Sequence, residues 1–231
     1  MQREEASARR RQLVCLLQRA YSGELGAAIG YAGHAASVGS PAERDHIRHI
    51  RQEELDHRAW LGDMLRALGT RPDRGLELRN RCLGSGIAAF CQVGGWFLPM
   101  YGAGWVEARN IAEYERAARL ALACDEFRFA ERLLDMAEAE WEHEHYFRLK
   151  AASHPLASVL RLWPVPAPKV TIRDQARRER PREALATRRA RRAGAGAPSA
   201  AVPSPAPGSA AAPLVEAFAN SGGGAGWMSA D

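Results

Sequence analysis

Two overlapping Glu-x-x-His spacings occur in one charged segment of the sequence: Glu140 with His143, and Glu142 with His145. On an α-helix, residues three apart share a face, so each pair would present a carboxylate and an imidazole side by side. Carboxylate and imidazole groups are common ligands of divalent transition-metal ions. The two pairs lie on different faces of the helix, and only one of them can face a core.

The apolar periodicity of the segment distinguishes the two pairs. The helical stripe through Glu140 also contains Leu133, Ala137 and Phe147, whereas the stripe through Glu142 is otherwise acidic. An apolar stripe predicts the buried face of an amphipathic helix. Burying an unpaired carboxylate and imidazole is unfavourable. Glu140 and His143 are therefore predicted to bind a metal ion together.

The same residue types recur on the apolar stripes of three other segments. Glu54 and His57 repeat the Glu-x-x-His spacing, and single glutamates, Glu24 and Glu107, lie on two further stripes. Glu113, on a rival stripe of the same segment as Glu107, is the alternative to it. The sequence therefore predicts four carboxylates and two imidazoles that face one core.

Four long helices must position these residues. Their predicted bounds, from apolar periodicity and from the glycine, serine and proline at 39–41, are about 5–38, 41–68, 105–124 and 125–154. Asp125 is the predicted N-cap of the last helix, and residues 73–81 are predicted to be a polar connection. The fold class is all-α, a four-helix bundle.

An uncharged stretch at 82–106 separates the second and third bundle helices. Its length would allow a membrane span. Its six glycines and Pro99 instead favour an extra apolar helical segment, broken near Gly94–Gly95 or Pro99, that lies on a bilayer surface. Packing in a soluble core or against a partner, and a spanning helix, are the alternatives.

One glutamate from each of two helices and Glu-x-x-His from each of two others form the ligand set of ferritin-like di-iron or di-manganese bundles. Two divalent ions would balance four carboxylates that otherwise repel each other. We expect two iron ions, with manganese as the alternative, bridged by Glu54 and Glu140. The terminal ligands are expected to be Glu24 and His57 on one ion, and Glu107 and His143 on the other. The competing interpretation is a bundle with polar layers and no metal.

Two further polar residues on the stripes, His34 and Tyr114, are the candidate catalytic residues beside the metals. His34 is expected to lie next to the ligands rather than among them. Tyr114, like Tyr31, is expected to pack in the core and to reach the centre with a hydrogen bond.

The composition divides the 231 residues into a bundle domain at 1–163 and a tail at 164–231 rich in Pro, Ala and Arg. That tail composition is typical of disorder. The formal net charge of +5 is concentrated at 173–192, so no nucleic-acid surface is indicated for the bundle. Contact of the basic tail with anionic lipid or nucleic acid is the alternative to a solvated tail.

The four cysteines show no C-x-x-C motif and no disulfide pattern, and the charged N-terminus does not resemble a secretory signal peptide. We therefore expect a cytoplasmic protein. The uncharged stretch at 82–106 favours a peripheral position on the inner face of the membrane. The sequence is also compatible with a homo-oligomer.

At these same residues the sequence resembles the demethoxyubiquinone hydroxylase family, ferritin-like di-iron monooxygenases of ubiquinone biosynthesis. The resemblance covers about residues 15–150, and all six ligand positions carry over. The matching motifs are Gly23-Glu-Leu-Gly-Ala27, Tyr31-Ala-Gly-His34, Glu54-Leu-Asp-His57, Val106-Glu107 and Glu140-Trp-Glu-His143. His34 stands where the family has Gln, Ala108 where it has a second Glu, and Glu113 where it has a His before the tyrosine.

The resemblance implies an enzyme, a di-iron oxidoreductase that uses dioxygen to hydroxylate a prenylated quinol-type ring at a membrane surface. The electron donor is not indicated. The uncharged stretch has a counterpart in the family that is associated with membrane contact and a lipid quinone. Two alternatives stay open: a rubrerythrin-like peroxidase or ferroxidase on the same di-iron site, and a non-catalytic bundle that binds a membrane or a partner. No rubredoxin-type cysteine pairs are present to support the first.

Overall fold

The structure is a computed structural model that describes residues 2–174 and 176. Five α-helices make up most of these residues, and they contain no β-strand. The helices are α1 (Gln2–Ser37), α2 (Pro41–Ala67), α3 (Arg74–Cys91), α4 (Phe97–Ala123) and α5 (Phe127–Ala152), followed by a 3₁₀ helix at Pro155–Ser158. The predicted all-α fold class is confirmed.

Four of the helices form the bundle, and α3 lies outside it. Short loops join α1 to α2 and α4 to α5, so each pair packs as an antiparallel hairpin, and α1 contacts α4 while α2 contacts α5. The connection from α2 to α4 is long and carries α3, which packs mainly on α1. A bundle with one long crossover is the connectivity of ferritin-like folds.

The crossover begins and ends differently from the sequence prediction. Asp73 caps α3 by accepting a hydrogen bond from the Leu76 amide at 2.9 Å, so the predicted polar connection at 73–81 is wrong and most of it is the first half of α3. The break predicted near Gly94–Gly95 is present, with Gly95 at φ +70°. Pro99 lies in the first turn of α4, where the missing amide hydrogen costs nothing, so α4 starts well before the predicted position.

The predicted role of Asp125 as a helix N-cap is wrong. Its φ of +62° is left-handed, and it ends α4 instead of starting α5. The amide of Glu126 donates to the Ala121 carbonyl at 2.9 Å, and the amide of Asp125 donates to the Leu122 carbonyl at 3.1 Å. This pair of bonds is the Schellman motif that closes helix C-termini.

Two apolar clusters of the core lie on either side of a polar layer, and a third, smaller cluster contains Phe97, Ala151 and Trp163. Of the first two, one contains Leu17, Leu61 and Leu133, and the other contains Ile50 and Phe147. On each bundle helix, the residues predicted as metal ligands lie between the residues of these two clusters. The bundle therefore places them at one level, buried from both ends.

The packed chain continues past the predicted domain boundary at 163. Trp163 and Ile172 are both buried, and the Arg173 guanidinium donates to Glu138 at 2.6 Å on α5. The boundary itself stays a prediction. The rest of the predicted tail, with the basic stretch that follows Arg173, lies outside the described residues.

Within the described residues, no helix has the length and apolar character needed to cross a membrane.

The crossing of α1 and α3 depends on glycines. A Cβ atom on Gly84 would lie 2.4 Å from the carbonyl oxygen of Gly26, and a Cβ on Gly33 would lie 2.4 Å from the Cα of Ala88. Both distances are far shorter than a van der Waals contact, and the atoms met are mainly backbone. The backbones of α1 and α3 therefore approach closely only because these positions lack side chains.

Gly84→Ala is expected to destabilise the protein by about 1–3 kcal/mol, because the added methyl group must push α3 away from α1. The matched control is Gly86→Ala on the same helix, where a Cβ meets no atom within 4 Å. That control is expected to be neutral or stabilising by up to about 1 kcal/mol. Urea unfolding measures both, and equal midpoints for the two variants would show that α3 does not pack as described.

Candidate metal centre

All six residues predicted as metal ligands come together in the polar layer. None of them is more than 3% exposed. Glu24 comes from α1, Glu54 and His57 from α2, Glu107 from α4, and Glu140 and His143 from α5. Each bundle helix thus contributes to one buried cluster of carboxylates and imidazoles.

The cluster divides into two overlapping groups of four, in each of which one ligand-type atom per residue lies within 4.8 Å of the others. The first group contains Glu24, Glu54, His57 and Glu140, and the second contains Glu54, Glu107, Glu140 and His143. Glu54 and Glu140 belong to both. This is the sharing that two bridging carboxylates require, and it has the same partition as the arrangement predicted from the sequence. That the six residues bind metal stays a prediction.

The cluster fits metal ions better than it fits internal hydrogen bonding. His57 Nδ1 lies 3.2 Å from Glu140 Oε1, and His143 Nδ1 lies 3.3 Å from Glu54 Oε1. None of these four atoms, nor Oε2 of Glu54, has a hydrogen-bond partner among the described residues. Buried polar atoms are normally hydrogen-bonded, so converging ligand-type atoms without such bonds are suited to the coordination of ions. Oxygen and imidazole donors suit iron or manganese.

The electrostatics of the cluster favour the same conclusion. Burial raises the pKa of Glu24 well above its usual value, and the negative charge of Glu54 adds to that shift. Burial, followed by the charge of Glu140, raises the pKa of Glu107 in the same way. Without cations, therefore, part of the cluster holds protons, and divalent ions would take their place.

Metal binding is expected to release protons and to weaken as the pH falls. Because the raised pKa values of Glu24 and Glu107 favour their protonated forms in the metal-free protein, metal binding to the carboxylates is expected to displace protons. Affinity then rises with pH. Titration calorimetry in two buffers of different ionisation enthalpy measures the released protons, and an affinity that does not change with pH would contradict the description.

Two tyrosines orient the terminal carboxylates from neighbouring helices. The hydroxyl of Tyr114 on α4 donates a hydrogen bond to Glu24 on α1, and the hydroxyl of Tyr31 on α1 donates to Glu107 on α4. Both hydrogen bonds cross the interface between α1 and α4, one donated from α4 to α1 and the other from α1 to α4. The structure thus places Tyr114 where it was expected, in hydrogen-bonding contact with the cluster, and its catalytic role stays a prediction.

His34 lies one helical turn after Tyr31 on α1 and belongs to neither group of four. Its ring stacks with Phe147 at a centroid distance of 5.9 Å, and its Nε2 has no hydrogen-bond partner among the described residues. Burial lowers the pKa of His34 to about 4, against a smaller opposing effect of Glu43. The side chain is therefore a neutral imidazole at physiological pH, and its role as a catalytic residue stays a prediction.

The alternative ligand candidates lie outside the cluster. Glu142 and His145 are exposed on α5, and Glu113 forms an exposed ion pair with Arg19 at 3.9 Å. Their positions agree with the choice of the buried pair on α5 and of Glu107 on α4.

Sequence reasoning missed two residues that contact the cluster. Glu53 Oε2 lies 2.9 Å from His143 Nε2, the ring nitrogen that points away from the cluster. The Asn110 amide donates to Glu107 at 3.0 Å and to Glu140 at 3.3 Å. Glu53 is off the apolar stripe, so periodicity assigns it to solvent; only its position next to Glu54 could have indicated it.

Two cavities open beside the cluster, both between α1, α3 and α4. The first, here called the Glu24 cavity, measures about 200 Å³ and is lined by Glu24 and Tyr114. The second, here called the Glu107 cavity, measures about 320 Å³ and is lined by Glu107, Tyr31 and His34. Most of the other residues that line the Glu107 cavity are apolar.

One family model and several curated proteins are similar to part of this chain. The family described as "Ubiquinone biosynthesis protein COQ7" matches residues 11–93. Proteins named 3-demethoxyubiquinol 3-hydroxylase from Francisella tularensis subsp. novicida, subsp. tularensis and subsp. holarctica are each 42% identical over 57 residues, which is 25% of this chain and 27% of theirs. The match thus spans about a quarter of the length of these curated relatives. No solved structure matches the chain significantly.

The resemblance to the demethoxyubiquinone hydroxylase family is confirmed, within the first three helices. The family match includes Glu24 on α1 and Glu54 and His57 on α2. It ends before α4, so the other half of the cluster, on α4 and α5, is supported by its geometry alone. The two halves nevertheless meet in one buried cluster.

Proposed function

From the similarity of α1, α2 and α3 to the COQ7 family, we propose that this chain is a di-iron hydroxylase of ubiquinone biosynthesis. Its substrate would be a prenylated quinol-type ring of the demethoxyubiquinol class, and its oxidant dioxygen. The observation that carries the proposal is the pair of four-residue groups that share Glu54 and Glu140, because no single-ion or metal-free site needs two shared carboxylates. The Glu107 cavity, which is mostly apolar, lies next to the second of these groups.

The residues of the chain would hold the two ions in a dry, fixed geometry. Glu54 and Glu140 would bridge the ions, and the tyrosine hydroxyls would fix the terminal carboxylates by donating to one oxygen of each. Two iron ions, when bound, supply the redox chemistry that activates dioxygen; manganese is the alternative metal. The two apolar clusters on either side exclude water from the reacting ring.

The Glu107 cavity would bind the ring. Its volume of about 320 Å³ lies at the lower end of the range for small-molecule sites, roughly 300–1,000 Å³. Phe90, Leu98 and Trp105 line it and are also exposed at the surface, so its mouth is apolar. The neutral imidazole of His34 offers a hydrogen bond to a ring oxygen inside it.

The apolar mouth also supports a position at a membrane surface. Exposed apolar patches of this kind mark contacts with lipid or with partners, and a prenylated ring is itself carried in the bilayer. We place the protein in the cytoplasm, peripheral on the inner face of the membrane, with the mouth of the Glu107 cavity turned toward the lipid.

The test is hydroxylation of a short-chain demethoxyquinol analogue by iron-loaded protein with isotopically labelled dioxygen and a chemical reductant. We expect a hydroxylated ring that carries the label, detected by mass spectrometry. Glu140→Ala should remove the product, and Glu142→Ala, at an exposed position of the same helix, should not. Full metal loading without any hydroxylated product would overturn the proposed substrate.

The alternatives predict different results with the same protein. Rapid peroxide consumption or iron oxidation without an organic substrate, and no hydroxylation, would indicate a peroxidase or ferroxidase. Less than about one iron or manganese per chain after anaerobic loading would indicate a non-catalytic bundle, because the paired groups would then lack the ions that balance their charge.

A further inference from the structure

The two cavities reach the metal centre at opposite ends of its ligand set. The Glu24 cavity touches the carboxylate that belongs to the group with His57, and the Glu107 cavity touches the one that belongs to the group with His143. Each of the two ion positions would therefore have a cavity of its own. Ile87 and Val106 line both cavities and form part of the partition between them.

The two cavities differ in size and in the polarity of their rims. The Glu24 cavity is the smaller, at about 200 Å³, and Asn80 and the Arg19–Glu113 ion pair lie on its rim. The Glu107 cavity is larger and has an aromatic, apolar mouth. A volume of about 200 Å³ is below the usual range for drug-sized ligands but ample for a molecule the size of water or a diatomic gas.

A ring bound in the Glu107 cavity covers the approach to the centre from that side. A second reactant that has to reach the ions while the ring is in place then needs a separate route. We propose that the Glu24 cavity is this route, the entrance by which dioxygen reaches the metal centre while the Glu107 cavity is occupied by the ring substrate. The assignment of the ring to the Glu107 cavity rests on the proposed function.

Two glycines make it possible to block each cavity separately. Gly23 lines the Glu24 cavity and Gly102 lines the Glu107 cavity, and a Cβ at either position meets no atom within 4 Å. Gly23→Leu and Gly102→Leu would therefore each extend a side chain into one cavity from a Cβ atom that has room. Gly86→Leu is the matched control, since Gly86 lines neither cavity and a Cβ there also meets no atom within 4 Å.

The first measurement is oxidation of the iron(II)-loaded protein by dioxygen with an unreactive quinone analogue bound, followed by stopped-flow absorbance. Gly23→Leu is expected to slow oxidation by about tenfold or more, equivalent to a barrier about 1.4 kcal/mol higher. The Gly86→Leu control should oxidise at the wild-type rate. Gly102→Leu should weaken binding of the analogue by about tenfold, measured by tryptophan fluorescence, and leave oxidation fast.

The second measurement uses metal-free wild-type protein and xenon as a probe of small apolar spaces. Xenon NMR should detect a site that remains when the quinone analogue is bound, and Gly23→Leu should remove that site. This measurement needs neither metal nor turnover.

Any one of three results would overturn the inference. The first is complete block of iron oxidation in the wild type by the bound analogue, which would make the Glu107 cavity the common entrance. The second is absence of the xenon site, and the third is equal oxidation rates for Gly23→Leu and Gly86→Leu. Failure of the proposed function looks different, because iron oxidation and xenon binding would behave as expected while no labelled hydroxylated ring is formed.

Discussion

Replacing Glu54 with leucine is expected to abolish metal binding at both positions and to make the metal-free protein more stable. Glu54 belongs to both groups of four, so its loss removes a ligand from each ion. In the metal-free protein, both carboxylate oxygens are buried and have no hydrogen-bond partner within the part of the chain that the structure describes, which costs about 1–3 kcal/mol for each unsatisfied group. Leucine has a similar size and carries no polar atoms, so it relieves that cost.

Metal binding should decrease and the stability of the metal-free protein should increase, and both are measured on the same samples. Metal content after anaerobic loading should fall from about two ions per chain to near zero, as expected for a ferritin-like ligand set that loses a bridging carboxylate. Thermal unfolding of the metal-free variant should occur several degrees higher, since about 1 kcal/mol corresponds to roughly 2–4 °C at this chain length. Added iron should stabilise the wild type through linkage and leave the variant unchanged.

Glu142→Leu is the matched control for Glu54→Leu. Glu142 belongs to the rejected Glu-x-x-His spacing and is exposed on α5. Its contact with Lys169 is a surface ion pair, a kind of interaction worth about 0–1 kcal/mol. We expect normal metal content in this variant. Two bound ions in Glu54→Leu would show that Glu54 is no bridge, and a lower melting temperature of its metal-free form would show that the glutamate is well accommodated.

The helical phase of the ligand-type residues could be read from the sequence because the two faces of α5 differ so strongly. Glu140 and His143 share a stripe with apolar residues, whereas Glu142 and His145 share one with acids, and the structure buries the first pair and exposes the second. Periodicity works here because each bundle helix buries one stripe against the same core. It therefore predicts the cluster as well as the helices.

Helix boundaries were harder to predict because they depend on single residues that fit more than one role. Asp125 has the type of an N-cap but adopts φ +62° and closes α4. Pro99 suggests a break but lies in a first turn, where proline is tolerated. From the sequence, Asp125 could start or end a helix, and Pro99 could break a helix or lie in its first turn. Tertiary packing decides between these alternatives.

Contacts between distant segments outside the predicted ligand cluster could not be predicted from periodicity. The close approach of α1 and α3 depends on Gly26 facing Gly84, and Trp163 packs so tightly on Gly104 that a Cβ there would lie 2.3 Å from its ring. Both contacts join positions whose pairing is set by tertiary structure. Glu53 was missed for the same reason, because its partner lies on another helix.

Glu53→Ala is expected to weaken metal binding by about 10–100-fold, the usual cost of losing the group that holds a histidine ligand. The carboxylate of Glu53 accepts from Nε2 of His143 at 2.9 Å, which fixes the tautomer that leaves Nδ1 free to face the cluster. Glu53→Gln keeps an oxygen acceptor without the charge, so its loss of affinity should be smaller. Competitive metal titrations measure both.

His49→Ala is the control for the Glu53 variants. Its imidazole lies 3.7 Å from the same Glu53 oxygen but is largely exposed and does not contact the cluster, so this variant should bind metal as the wild type does. Far-ultraviolet circular dichroism confirms that each variant keeps its helices. Wild-type affinity in Glu53→Ala would mean that the packing of α5 alone orients His143. An intermediate affinity in Glu53→Gln would instead assign the effect to the hydrogen bond and its charge.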